Sequence, residues 1–157
     1  MAGYYPSSVG MSLRDRLATP EGKRRYVRTL FGTIADRYDV ITVLLSYGRD
    51  RHWKRRLVAR AAPSPGMRAL DLATGTGDIA YALSAHAAGV VGLDVTPRMI
   101  ELARAKARPG AKPAFLVGDM VSLPFADASF DLVTTGYGLR NVPDLDAAIR
   151  EIARVLR

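Results

Sequence analysis

The run Asp71-Leu-Ala-Thr-Gly75-Thr-Gly77-Asp78 joins a short apolar segment to a helical one. Glycine is needed where a backbone turns sharply and must let a ligand approach with no Cβ in the way. A helix that starts at such a turn aims its unpaired N–H groups at the same ligand. Gly75, Gly77 and Ala80 satisfy the spacing G-x-G-x-x-A, so a dinucleotide and other nucleotide-type cofactors both fit the loop. Asp94 closes a second apolar segment 19 residues after Gly75, where a carboxylate can accept both hydroxyls of a ribose.

Charge separates the candidates. A pyrophosphate is anionic, and the carboxylates of Asp71 and Asp78 on either side of the turn would repel it. S-adenosyl-L-methionine has no phosphate and carries an ammonium and a sulfonium, so acids beside the loop suit it. Asp119, at the end of a third apolar segment, is placed to accept from an adenine amino group. With these acids, and with no Lys or Arg expected at the site, the sulfonium cofactor is favoured over NAD.

Composition removes other chemistries. Among 157 residues there is no cysteine, which excludes disulfides, thiolate metal sites and a cysteine nucleophile. The two histidines, His52 and His86, are too few for a multi-histidine metal site, so no metal is expected and neither is read as catalytic. No apolar run approaches the ~18–20 residues of a membrane span, and the N-terminus lacks the apolar core of a secretory signal. The expected location is the cytoplasm.

The net charge of +8 is unevenly spread. Residues 1–68 carry 14 basic and 5 acidic side chains, whereas residues 69–157 carry 9 and 10. Such a basic segment suits an anionic membrane surface, nucleic acid or a phosphorylated substrate; the plain alternative is a solvated helix face.

The elements that must position these groups fall into three stretches. Residues 1–20 are rich in Gly, Ser, Pro and Tyr and read as a flexible arm. Residues 21–62 read as a helical cap, with Tyr26, Leu30, Phe31, Ile34 and Tyr38 at helical spacing, then two short helices over Val40–Leu45 and Arg51–Ala61 separated by Gly48. Residues 67–157 alternate short apolar runs with helical patterns, the signature of parallel βαβ units. Strands are expected at Met67–Leu72, Val90–Val95, Ala114–Val117 and Phe130–Thr135. Helices are expected from Asp78 to about His86, from Thr96-Pro97 to near Pro109-Gly110, and from Asp144 with Leu145, Ile149, Ile152 and Leu156 as its apolar stripe. The expected fold is α/β, a Rossmann-like doubly wound parallel sheet of order 3-2-1-4 with an N-terminal helical cap.

The string Val133–Val142 (VTTGYGLRNV), preceded by Leu123-Pro124-Phe125 and Ser129-Phe130-Asp131, resembles the ubiquinone/menaquinone biosynthesis C-methyltransferases. Tyr38-Asp39, Ser46, Gly48 and Trp53-Lys54-Arg55 match the N-terminal signature of the same family. The resemblance runs from about Phe31 to Arg157, and Gly-Leu-Arg-Asn is its most specific part. It implies methylation of a ring carbon of a polyprenyl quinol, of the demethylmenaquinol or 2-polyprenyl-6-methoxy-benzoquinol type, with S-adenosyl-L-methionine as donor. By position it puts cofactor contacts on Thr76, Asp94, Asp119 and Met120, beside the loop residues Asp71, Gly75 and Gly77. Where the family has a serine contact after strand four, this chain has Gly136. Ile41-Thr42 stand in place of a Met-Asn pair, and Asp50 in place of a histidine.

The resemblance also implies Tyr38, Arg140 and Asn141 around the ring. A guanidinium is too weak an acid to serve as a base, so Arg140 is read as steadying the quinolate oxygen, with Asn141 and Tyr38 positioning it. A membrane-borne substrate implies peripheral docking on the inner face of the membrane, and nucleic acid is not expected as a partner. In this family three further strands follow the position of Arg157, so the chain reads as C-terminally truncated, with cofactor affinity reduced but present and methyl transfer weak or absent. Strand four would then be an open edge prone to self-association. A methyltransferase for another small molecule or a nucleic acid, and an inactive cofactor-binding scaffold, are the other readings.

Overall fold

A computed structural model of the chain describes residues 18–47, 49–106, 110 and 113–157. Gly48, Pro109 and most of the expected N-terminal arm lie outside the described residues.

The cap begins where Thr19 accepts a hydrogen bond from the Gly22 N–H at 3.0 Å and Pro20 presets the first helical turn, giving α1 over Pro20–Ile34. The expected continuation through Tyr38 is interrupted. A 3-10 turn at Ala35–Arg37 redirects the chain, and Tyr38 opens α2, Tyr38–Leu45. The next helix, α3, spans Asp50–Ala61 and stops at Ala62, left-handed at φ 45, just before Pro63.

The body is a four-stranded parallel sheet, β1 (Arg68–Leu72), β2 (Gly89–Asp94), β3 (Ala114–Val117) and β4 (Leu132–Thr135), in the order β3-β2-β1-β4. Leu72 lies opposite Leu93 on one side and Thr135 on the other, so β1, β2 and β4 end level with one another. Crossover helices α4 (Asp78–Leu83) and α5 (Pro97–Ala105) and the terminal helix α6 (Leu145–Val155) complete the units. Both faces of the sheet are covered. Ala69, Ile79, Leu83, Ile100 and Phe115 fill one apolar layer, and Leu70, Leu72, Leu93, Phe130 and Val155 fill the other. The alternation along β1 therefore turns Asp71 toward the same side as Ala69, inside the protein.

Several boundaries differ from the sequence reading. Phe130 precedes β4 and makes an isolated parallel bridge with Leu156. The first crossover helix ends at Leu83, three residues before His86, and the second ends at Ala105. On α6 the apolar residues fit two neighbouring stripes, and packing selects the one with the smaller side chain. Ala148 and Val155 are buried with Ile152 against them, which leaves Leu145 and Ile149 half exposed. Among the described residues no helix is long and apolar enough to cross a membrane.

Candidate functional site

The loops that leave the C-terminal ends of the strands meet α1 and α2 around a cavity of about 470 Å³. This is where an open parallel sheet binds ligands, because helix N-termini and bare loop backbone converge there. Tyr38, Gly75, Asp94, Asp119, Met120, Arg140 and Asn141 all line it. Asp71, Thr76, Gly77 and Gly136 do not.

Gly75 is left-handed at φ 55, which turns its N–H onto Asp94 Oδ2 at 2.9 Å. The Thr96 N–H donates to the other oxygen, Oδ1, at 2.8 Å. Asp94 thus ties the glycine loop to the start of α5 while lining the cavity. Burial raises its pKa above the ordinary carboxylate value, and the two N–H donors oppose that rise.

Asp71 stands behind the loop rather than in it. Its carboxylate is fully buried and accepts from the Thr74 hydroxyl at 2.6 Å and the Thr134 hydroxyl at 2.8 Å. Burial pushes it up to about 6, against the pull of those two hydroxyls. Its place in the structure is to pin the turn to β4. Gly77, left-handed at φ 84, packs the turn onto β3: a Cβ there would lie 2.7 Å from Phe115 Cζ. Gly136 faces Trp53 and Ile79, with an added Cβ 3.3 Å from the indole edge.

Thr76 and Asp78 belong to a polar cluster that the sequence reading did not contain. The Thr76 hydroxyl donates to Asp39 Oδ1 at 2.6 Å and accepts from Lys106 Nζ at 2.7 Å. Lys106 also reaches Asp39 at 2.6 Å and Asp78 at 3.0 Å, and Lys54 reaches Asp78 at 3.1 Å. Burial alone would raise Asp78, but the two ammonium groups outweigh it and hold the carboxyl below its usual range. Asp78 is therefore neutralised and offers no free negative charge to a cofactor.

The expectation of a site without Lys or Arg is also corrected. Arg24 of α1 and Arg140 line the cavity, and Arg24 Nε stands 2.6 Å from Asp119 Oδ2. The other Asp119 oxygen accepts from the Val121 N–H at 3.1 Å.

Arg140 and Asn141 sit on a 3-10 turn, Gly138–Asn141, with the guanidinium carbon 4.9 Å from the Tyr137 ring centroid. Gly138 lets this turn press on the glycine loop, since a Cβ there would overlap Ala73 Cβ at 2.4 Å. Tyr38 lies across the cavity on α2, its ring 5.9 Å from that of Phe31. Burial pushes its hydroxyl above the ordinary phenol value.

Sequence reasoning missed the apolar wall. Phe31, Ile34, Ile41 and Leu45 line the cavity from the cap, as does Gly118 from the loop after β3. Gly118 has a legible signal: it follows β3 directly, and a Cβ there would lie 2.8 Å from Leu93 Cδ1. Of the positions that depart from the resembled pattern, Ile41 and Thr42 line the cavity. Asp50 is buried and paired with Lys54 at 2.6 Å.

Solved structures share this architecture. A chain in the complex of the Haloferax volcanii Trm112 methyltransferase activator with a methyltransferase superposes with a TM-score of 0.70 at 32% identity, over 81% of this chain and 55% of that one. The cyclase SpnF superposes at 0.60 with 33% identity, over 65% of this chain and 41% of that one. The fold thus hosts more than one chemistry, and function rests on the site. In sequence, the chain is 44% identical to a demethylmenaquinone methyltransferase of Roseiflexus sp. (strain RS-1), over 90% of its own length and 60% of the relative. It is 40% identical to a ubiquinone/menaquinone biosynthesis C-methyltransferase UbiE of Geobacter sp. (strain M21), over 86% and 60%. The chain therefore spans about 60% of the curated relatives it matches. Residues 19–157 match one family description throughout, and the chain belongs to the ubiE/COQ5 methyltransferase family.

Proposed function

We propose that the chain carries the donor and acceptor sites of a C-methyltransferase acting on a polyprenyl quinol ring, of the demethylmenaquinol or 2-polyprenyl-6-methoxy-benzoquinol type. One observation carries the reading: a single cavity brings Asp94 and Asp119 at the strand ends together with Tyr38, Arg140 and Asn141.

S-adenosyl-L-methionine is the cofactor of this family, and the residues present fit it. Gly75 and Gly118 offer bare backbone, and Asp94 and Asp119 offer carboxylate acceptors. When bound, the cofactor supplies an electrophilic methyl group. Asp94 then holds the ribose and Asp119 with Met120 holds the adenine. Thr76, Gly77 and Asp71 keep the loop in shape from behind.

The acceptor ring carbon becomes nucleophilic when its neighbouring hydroxyl loses a proton to bulk water, and the ring is restored when the carbon that took the methyl group gives up its own proton to water. Arg140, always charged, stabilises the resulting oxyanion and has no proton-accepting role. Tyr38 is a phenol, protonated at neutral pH at its ordinary value, and burial pushes that value higher still, so it acts as a hydrogen-bond donor that orients the ring. Asn141 fixes the opposite edge. The apolar wall of Phe31, Ile34 and Ile41 limits the access of water to the transfer.

The substrate lives in a membrane, and the basic cap supports peripheral attachment to an anionic surface. The edge of β4, which pairs only with β1 among the described residues, supports self-association. The test is transfer of labelled methyl from S-adenosyl-L-methionine to demethylmenaquinol and to a demethylated benzoquinol, side by side. Incorporation into the carbon skeleton of either is expected. Cofactor binding with no incorporation into any quinol would defeat the reading.

A further inference from the structure

Helix α2 has two faces with different fates. Tyr38, Ile41, Thr42 and Leu45, at helical spacing, form its cavity face, with Leu45 at the rim, 75% exposed. Val40 and Leu44 form the other, and they are 71% and 74% exposed. Tyr47, just beyond the helix, is 93% exposed and held left-handed at φ 51. A bulky side chain in that conformation carries a backbone cost with no packing inside the protein to offset it. No residue of α2 is buried, although six of its eight side chains are apolar or aromatic.

The chain on either side of this helix is positive. Arg37 directly precedes α2, and Arg49, Arg51 and Arg55 follow it; all four are exposed and make no ion pair among the described residues. The nearby acids are already taken: Asp36 by Arg98, Asp39 by Lys106 and Asp50 by Lys54. The Asp50 N–H donates to Ser46 Oγ at 3.1 Å and the Arg49 N–H to Ser46 O at 2.9 Å, so the arginine-rich turn is fastened to the end of the apolar helix.

We propose that Val40, Leu44 and Tyr47, with Arg37, Arg49 and Arg51 around them, form the surface by which the chain docks on an anionic lipid bilayer. Exposed apolar side chains enter the acyl boundary, an aromatic sits at the headgroup level and arginines meet the lipid phosphates. Leu45, next to Leu44, both lines the cavity and is exposed, so the cavity opens beside the docking face and docking brings that opening to the bilayer. A substrate with a long apolar tail then reaches the site without crossing water. This deepens the quinol reading and takes its purpose from it, while the surface itself is argued from exposure, charge and backbone alone.

The chain has no cysteine, so one introduced thiol gives a unique label. Leu44→Cys carrying a polarity-sensitive dye is mixed with phosphatidylcholine vesicles, with and without phosphatidylglycerol, and with spin-labelled lipid as quencher. Gly66→Cys is the control: it lies at the opposite end of β1, with no atom within 4 Å of an added Cβ. The Leu44 probe should shift to the blue and be quenched on phosphatidylglycerol vesicles, and the Gly66 probe should not. The unlabelled variant Val40→Ser/Leu44→Ser/Tyr47→Ser should bind those vesicles at least roughly tenfold more weakly, with unchanged affinity for adenosylhomocysteine. Equal quenching at both positions, or unchanged vesicle binding by the triple variant, overturns the proposal. So does burial of the Leu44 probe by concentration-dependent self-association without lipid. Vesicle docking through this face with no methyl transfer to any quinol would uphold the surface and defeat the quinol reading; transfer without docking would do the reverse.

Discussion

Arg24 Nε and Asp119 Oδ2 lie 2.6 Å apart across the mouth of the cavity, and each is the other's closest charge. In the proposed site the pair occupies the acceptor assigned to the adenine amino group. Both side chains are partly exposed, so the pair contributes at most about 1 kcal/mol. Arg24→Met should therefore tighten adenosylhomocysteine binding by about two- to fivefold. Calorimetry on the two proteins decides it, and weaker binding by the variant would mean that Arg24 holds the ligand instead.

Asp94 braces two backbone N–H groups and is the residue proposed above to hold the ribose. Hydrogen bonds to a charged group are worth roughly 1.5–3 kcal/mol each. Asp94→Asn keeps one acceptor oxygen and should weaken adenosylhomocysteine at least about tenfold while lowering the melting temperature. Unchanged affinity in a titration would remove Asp94 from the cofactor site.

The buried carboxyl of Asp71 predicts a pH effect of defined sign. Unfolded, it ionises near 3.8; folded, it ionises near about 6. The folded protein holds the extra proton between those values, so this group favours folding most below 3.8 and loses that contribution as pH rises through about 6. The difference amounts to about 3 kcal/mol. Relative to the parent chain, Asp71→Asn should gain stability between pH 4 and pH 7, about that much in urea unfolding. A gap independent of pH would show that Asp71 titrates normally.

Gly77 and Gly110 share a left-handed backbone, at φ 84 and 75, but only Gly77 has neighbours. Gly110→Ala should cost about 1–2 kcal/mol, the backbone penalty alone. Gly77→Ala should cost clearly more, because its Cβ would press on the Phe115 ring and drive it from β3 toward α5. Equal losses in thermal unfolding would mean that the ring moves aside freely.

Arg140→Lys keeps the charge and loses the planar fork. It should leave cofactor affinity unchanged and abolish most methyl transfer, seen as a fall in kcat. Equal turnover by the two proteins would take Arg140 out of the mechanism.

Strand positions, the glycine turn and the place of Asp94 were legible because they rest on local rules: short apolar runs, a strand-to-helix turn and a fixed offset to the next strand end. The Thr76–Asp39–Lys106 cluster was not, since Thr76 and Asp39 are 37 residues apart and Thr76 and Lys106 are 30 apart. No local pattern encodes that meeting. Asp71 was misread because chain position beside the loop is not exposure to the cavity; strand alternation turned its side chain inward. The apolar stripe of α6 was misassigned by one neighbouring row because Leu145 and Ile149 satisfy helical spacing as well as Ala148 and Val155 do. Packing against the sheet chose between them.

No residue of α1 or α2 is buried, and the two helices with the 3-10 turn between them hold the body by ion pairs: Arg24 to Asp119, Asp36 of the turn to Arg98 and Asp39 to Lys106. A wall joined this way unlatches more cheaply than the sheet melts, because little apolar area is exposed when it swings away. Salt screens each of those contacts over roughly 8 Å at physiological ionic strength. In amide hydrogen exchange the two helices should form their own shallow cooperative unit, opening more often as salt is added while β1 and β2 keep their protection; equal protection of helices and sheet at all salt concentrations would refute this. Ionic strength thereby sets how often the cavity gains and loses its outer wall, on a timescale separate from that of global unfolding.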